Sequence, residues 1–299
     1  MISPQARIVK RIIKVGSKKL PDLSSMNEQR QTFERNMRLL FPTVSGKHIK
    51  RDSIVGVQVE WVVPLRATQR TIVYVHGGAF ALGSSRAYRQ HLVRLARICN
   101  AKVLSIDYSL APEYPYPHAV NQLCAVWKEL VEQRDFKPAK LVLAGDSAGA
   151  NIILAAMHRL RDDRLPLPAC LVLLSAGLDA TFDGESYKQN KTKDPMFTMD
   201  TLDFYMRAYV QNHDKKDPMV SPVFADLHGF PPMLIHVGSD ELMLSSSIKL
   251  HENAKEDGVD TVLYVGEGMW HNWHLFAGFV PEAKKAMREI GKYIVDHTR

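Results

Sequence analysis

Ser147 is the residue best placed to do chemistry, in Gly145-Asp146-Ser147-Ala148-Gly149. The apolar run Leu141–Ala144 before it reads as a buried strand, and Ala150-Asn151-Ile152-Ile153-Leu154-Ala155-Ala156-Met157 after it reads as a helix. A Gly-x-Ser-x-Gly serine between a strand and a helix sits on a tight turn that presents its hydroxyl as a nucleophile. Two glycines let the flanking elements come close enough to make that turn. The helix N-terminus beneath it favours developing negative charge. The five-residue pattern alone arises by chance in about one chain in ten of this size. The reading therefore needs the partners that acyl transfer requires: a base, an acid that orients it, and donors for an oxyanion.

Each partner is expected on a loop after a strand. For the base, His271 follows the last strand in Gly266-Glu267-Gly268-Met269-Trp270-His271-Asn272-Trp273-His274, with His274 as its competitor. Imidazole suits the task because it titrates near neutrality. His76, His236 and His251 read as structural. For the acid, Asp240 follows the preceding strand in Val237-Gly238-Ser239-Asp240-Glu241-Leu242 and is the expected partner, with Glu241 as the neighbour most easily confused with it. Asp107 and Asp179 also follow strands and read as turn and cap residues. For the oxyanion, backbone N–H groups of Gly77, Gly78 and Ala79 in His76-Gly77-Gly78-Ala79-Phe80 are expected to act with that of Ala148. A phosphate loop is disfavoured, because neither Gly-x-Gly-x-x-Gly nor Gly-Lys-Ser/Thr occurs here.

The elements that position these residues alternate from residue 71 onward. Strands are expected at Thr71–Val75, Lys102–Ile106, Leu141–Ala144, Leu171–Ser175, Met233–Val237 and Thr261–Val265. Helices are expected at Arg86–Cys99, Ala119–Gln133, Ala148–Arg161, Ser245–Asp257 and Glu282–His297. Such alternation means an α/β fold, a mostly parallel sheet with helices on both faces. The rhythm breaks over residues 178–230, an excursion with its own helix (Asp200–Val210). Residues 1–45 read as two helices broken around Gly16 to Pro21. Together these segments are expected to form a helical cap on one domain spanning 1–299. Residues 47–63 alternate as an edge hairpin, with Val55, Val57, Val59, Trp61 and Val63 in one phase.

Composition narrows the classes further. The 39 Lys+Arg against 32 Asp+Glu leave a net charge of +7. Residues 6–19 carry six cations and no acid; the plain reading is a solvated basic helix face, the sharper one contact with an anionic membrane or partner. No signal peptide or transmembrane run is visible, and Cys99, Cys124 and Cys170 lack metal or disulfide spacing. The expectations are a cytoplasmic protein with no cofactor, no metal, no nucleic-acid partner and no stable membrane insertion.

At this point the chain closely resembles the hormone-sensitive-lipase-like family of α/β-hydrolases, in particular its bacterial esterases. The resemblance rests on His76-Gly77-Gly78-Ala79-Phe80, on Asp107-Tyr108-Ser109-Leu110-Ala111-Pro112-Glu113-Tyr114-Pro115-Tyr116-Pro117, and on Gly145-Asp146-Ser147-Ala148-Gly149-Ala150-Asn151. It runs from about residue 50 to the C-terminus. It implies hydrolysis of a small carboxylic ester through an acyl-enzyme, with Ser147, Asp240 and His271 as triad and an oxyanion hole of Gly77–Ala79 plus Ala148. It also implies a homodimer through the last strand and helix. Where the family has a third glycine this chain has Ala79, whose methyl is expected to narrow the cavity. Asp107 and Glu113 are expected to bridge loops near the nucleophile turn. The pocket is expected to draw on Phe80, Met196, Phe197, Phe204, Tyr205 and Trp270, favouring short to medium acyl chains. Amide or formamide hydrolysis on the same triad, and a non-catalytic receptor on the same fold, are the alternatives.

Overall fold

The computed structural model describes residues 2–16, 25–41 and 48–298. Its centre is an eight-stranded sheet in the order β1-β2-β4-β3-β5-β6-β7-β8. The strands are β1 (Ile49–Ile54), β2 (Val57–Val62), β3 (Thr71–Val75), β4 (Lys102–Asp107), β5 (Leu141–Asp146), β6 (Cys170–Leu174), β7 (Met233–Gly238) and β8 (Thr261–Gly266). β1 and β2 form the antiparallel edge hairpin, β2 pairs antiparallel with β4, and all pairings from β4 to β8 are parallel.

The central strands are buried on both faces, which is why their sequences are continuous apolar runs. Side chains alternate between faces. Val73, Val75, Leu143, Leu173 and Ile235 point into one core cluster, whereas Ile72, Tyr74, Val142, Val172 and Leu234 point into the other. The first cluster is closed by α4 (His118–Lys128), α5 (Ala148–Asp162) and α8 (Leu244–Glu256). The second is closed by α3 (Ser85–Cys99) and α9 (Pro281–His297). The expected helix over Ala119–Gln133 is α4 followed by a wider π-helical turn at Glu129–Gln133.

The N-terminal helices are α1 (Pro4–Gly16) and α2 (Met26–Leu40); most of the break expected between them lies outside the described residues. α2 is fastened to the sheet's carboxyl edge by Arg30, which donates to the carbonyls of Ala81 and Ala111 and to both carboxylate oxygens of Glu113. Glu113 thus anchors a helix, and Asp107 accepts from the N–H of Ser85 at the start of α3. The excursion carries α6 (Glu185–Gln189), which the polar sequence there did not suggest, and α7 (Met199–Val210). Tyr205 of α7 donates to Gln29 of α2 at 2.5 Å, joining the two segments over the same edge. Val55 departs from the expected alternation: it is an exposed turn residue with φ +45°, beside Gly56.

Candidate active site

The turn after β5 is a strained elbow. Ser147 has φ 52° and ψ −119°, a conformation costing about 1–3 kcal/mol that persists only where its surroundings impose it. They do so on both sides: its N–H donates to Leu174 O at 2.8 Å, and its carbonyl accepts from Gly177 N at 3.2 Å. The flanking glycines are needed for close approach. A Cβ on Gly149 would lie 2.0 Å from the carbonyl oxygen of Val75, and one on Gly145 2.7 Å from the same atom. The Ser147 side chain caps no helix N–H, which leaves its hydroxyl uncommitted to the helix it precedes.

His271 follows β8, fully buried, and its Nδ1 donates to Glu241 Oε2 at 3.1 Å. Its Nε2 is buried and has no hydrogen-bond partner among the described residues. His274, its competitor, is also buried, but its Nε2 lies 3.3 Å from His236 Nδ1 and its ring packs on Trp273. The loops bearing Ser147 and His271 are tied together through their neighbours, because Asn272 Nδ2 donates to Asp146 Oδ2 at 2.7 Å.

The expectation for Asp240 is corrected. Its carboxylate accepts from Lys10 of α1 and from Ser239 Oγ; the carboxylate on the imidazole is that of Glu241. β7 runs on through Gly238, and Glu241 N then bonds back to Gly238 O. That turn aims residue 240 outward and returns residue 241 under the strand end. Glu241 is fully buried, and its Oε1 accepts from Gly238 N at 2.6 Å and Ser175 Oγ at 2.7 Å. The excursion holds this turn from above. Asn190 Nδ2 donates to the carbonyls of Ser239 and Glu241, and Asp194 accepts from the N–H groups of Leu242 and Met196.

The oxyanion expectation also changes by one residue. Gly77 N donates to Asp146 Oδ1 at 3.0 Å, so that N–H is already used. A Cβ at Gly77 would lie 2.3 Å from the same carboxylate, which explains the glycine. Gly78 (φ +122°), Ala79 (φ +52°) and Phe80 (φ +64°) then turn the chain around the elbow. Among the described residues the N–H groups of Gly78 and Ala79 bond to nothing in the protein. Ala79 and Ala148 both line the cavity at Ser147.

Comparison with known proteins fits this geometry. A family model described as the alpha/beta hydrolase fold matches residues 72–275. An esterase of Acinetobacter venetianus is 35% identical over 255 residues, 85% of this chain and 84% of its own. An acetyl-hydrolase of Streptomyces hygroscopicus is 36% identical over 237 residues, 79% and 78% of the two chains. A crystal structure of an esterase from the bacterial hormone-sensitive lipase family superposes with a TM-score of 0.94 at 33% identity, covering 100% of both chains. The chain belongs to the hormone-sensitive-lipase-like family of alpha/beta hydrolases.

In this hydrolase Asp146 knits the site together. Its buried carboxylate accepts from Tyr74 Oη, Tyr88 Oη, Gly77 N and Asn272 Nδ2, joining β3, α3, the elbow and the loop of His271. Burial pushes its pKa up, and the donors pull against that. Burial alone would lower the pKa of His271, but the hydrogen bond and charge of Glu241, then the charges of Asp194 and Asp146, raise it above the usual imidazole value. Asp194 is pushed up to about 6, first by burial and further by the charge of Glu241.

The cavity at Ser147 is walled by the excursion. Of the residues expected there, Phe80, Phe197 and Tyr205 line it, and Phe197 also stands edge-on to His271 at 4.9 Å. Met196, Phe204 and Trp270 do not line it; Trp270 is buried in the core against Phe276. Gly177, Asp179, Phe182, Tyr187, Leu202, Met206 and Met243 also line it; of these the sequence marks Asp179, as a turn residue, and gives no sign of Phe182, Tyr187, Leu202 or Met243. Asp179 is the one carboxylate among them, and its Oδ1 accepts from Thr181 as in an ordinary turn. No helix among the described residues is long and apolar enough to cross a membrane.

Proposed function

We propose that this carboxylesterase acts through Ser147, His271 and Glu241, with the N–H groups of Gly78, Ala79 and Ala148 as oxyanion donors. Ser147 Oγ attacks the ester carbonyl carbon while His271 Nε2 takes its proton. The carbonyl oxygen becomes an oxyanion held by the three N–H groups. The tetrahedral intermediate expels the alcohol, which leaves with the proton from His271, and a serine ester remains. Water repeats the sequence and releases the acid. Glu241 accepts from Nδ1, fixes the tautomer that leaves Nε2 basic, and stabilises the imidazolium.

The observation that carries this reading is the buried His271–Glu241 pair, its Nε2 unpartnered, on a loop tied to the strained elbow. Esterase and acetyl-hydrolase relatives support a short acyl group, as does an apolar pocket enclosed by Phe182, Phe197, Leu202 and Met206. In the same proposal α1, α2 and residues 178–230 act as one cap on a single domain. The edge strand β8, with Val262 and Val265 exposed, is the surface for a homodimer. Three free cysteines fit a cytoplasmic setting. Labelling with a fluorophosphonate tests the nucleophile: the label is expected on Ser147, and labelling unchanged in Ser147→Ala overturns the assignment. Faster turnover of a sixteen-carbon than a four-carbon p-nitrophenyl ester would overturn the short-chain preference, the expected discrimination being about tenfold or more.

A further inference from the structure

α1 carries one broad apolar arc, and the fold covers only one side of it. Ala6 is buried, Val9 and Ile13 pack on the core, and Ser3 beside them bonds to Glu282 of α9. The other side of the arc, about 120° around the helix, exposes Ile8 (59%), Ile12 (59%) and Val15 (71%). At about 100° per residue these three fall in one arc of about 60°, a continuous stripe along the helix. Beside it, on one flank, run Arg7 and Arg11, while Lys14 on the same flank donates to Thr192 O at 3.2 Å, and the helix contains no acid. A helix that only needed a solvated outer face would not spend three branched apolar residues there.

We propose that the outer face of α1 docks on an anionic lipid surface, with the helix lying in the interface plane. The stripe requires an apolar medium, which excludes nucleic acid as its natural occupant. The cations beside it require negative charge, which disfavours a second copy of this chain: a face-to-face pair of α1 helices would set Arg7 and Arg11 against their own kind on a protein of net charge +7. Anionic headgroups over acyl chains supply both at once. Lys10, on the inner side, reaches Asp240 and the carbonyl of Gly268, so the docked helix also touches the turns that carry Glu241 and His271. One short helix gives weak, reversible and salt-sensitive attachment.

The test is co-sedimentation of the full chain with vesicles of phosphatidylcholine, with and without about 30 mol% phosphatidylglycerol. Binding is expected only with the anionic lipid and is expected to vanish in about 0.5 M salt. Arg7→Glu/Arg11→Glu should weaken it about thirtyfold or more, each surface cation contributing roughly a fivefold factor. Ile8→Ser/Ile12→Ser should weaken it about tenfold or more through lost apolar burial. Both variants should hydrolyse soluble p-nitrophenyl butyrate at the unaltered rate. Equal binding to both vesicle types, no binding to either, or Ile8→Ser/Ile12→Ser binding as the parent does would each overturn the proposal. So would a dimer that Ile8→Ser/Ile12→Ser dissolves in sedimentation velocity.

Discussion

The loop after β5 and the loop after β7 perform comparable tasks by different means. At Ser147 the geometry is over-determined: two glycines are required by contacts of 2.0 and 2.7 Å to Val75 O, and the backbone is bonded to β6 and its following loop. Shifting the serine by one residue would destroy the elbow. After β7 two adjacent acids stand in a four-residue turn, and the way that turn is held decides which faces the imidazole. Gly238 N, Ser175 Oγ and the excursion's Asn190 and Asp194 select Glu241, while Lys10 draws Asp240 outward. A site of one strained residue is specified locally; a site chosen by a turn is specified by everything packed on that turn.

The comparison breaks most visibly at the elbow. Ser147→Ala should cut kcat by about 10⁶-fold while leaving thermal unfolding close to the parent, because no folding contact uses the hydroxyl. Residual turnover within tenfold of the parent would mean another group is the nucleophile. The β7 turn should respond more gradually. Asp194→Asn keeps one acceptor oxygen and sets an NH2 against the other N–H of the Leu242 and Met196 pair, and a misplacement of Glu241 by a fraction of an ångström should lower kcat about 10–100-fold, with KM little changed. An unchanged kcat would mean the turn holds itself.

The pH profile sharpens the same contrast. Because Glu241 raises the pKa of His271, the neutral base disappears, and kcat/KM falls, as pH drops through a value above the ordinary imidazole figure. The sign for stability is opposite. The raised pKa stabilises the fold fully below the unfolded histidine value, and that contribution is lost as pH rises through the folded value. Glu241→Gln should therefore move the acid limb of activity to lower pH; an immobile limb would mean that another group titrates there. Burial pushes His91 and His236 down to about 3, so they act in the other direction. Their contribution is present above the unfolded histidine pKa and lost on acidification toward about 3, and chemical denaturation between pH 7 and 5 should show stability falling. The smallest effect belongs to Lys10→Met. Its partly exposed pair with Asp240 is worth about 0.5–1 kcal/mol, and kcat should change no more than about threefold.

What was legible in the sequence follows from the same physics. The parallel strands were visible because a strand buried on both faces must be an apolar run, and β3 was placed at Thr71–Val75 to the residue. Ser147 and His271 stood at strand ends whose glycines mark tight turns. Counting from a strand end favours Asp240 over Glu241, because it does not reveal a turn closed by Glu241 N on Gly238 O. Gly77 reads as an oxyanion donor in the sequence because its bond to Asp146 spans 69 residues. Nothing in the sequence marks Asn190 and Asp194: the excursion has no strand or helix period there, and their role exists only through contacts with residues 239–242. Of the walls, Phe182 and Tyr187 belong to the same stretch ahead of the expected helix, whereas Leu202 lies on that helix, whose period does not say which of its faces meets the cavity.

The assignment of the acid is tested most directly by one pair of side-chain amides. With p-nitrophenyl butyrate at neutral pH, kcat/KM should fall about 10³–10⁴-fold in Glu241→Gln, where Nδ1 loses its charged acceptor, and stay within about threefold of the parent in Asp240→Asn. The reverse ranking, with Asp240→Asn crippled and Glu241→Gln active, would contradict the account.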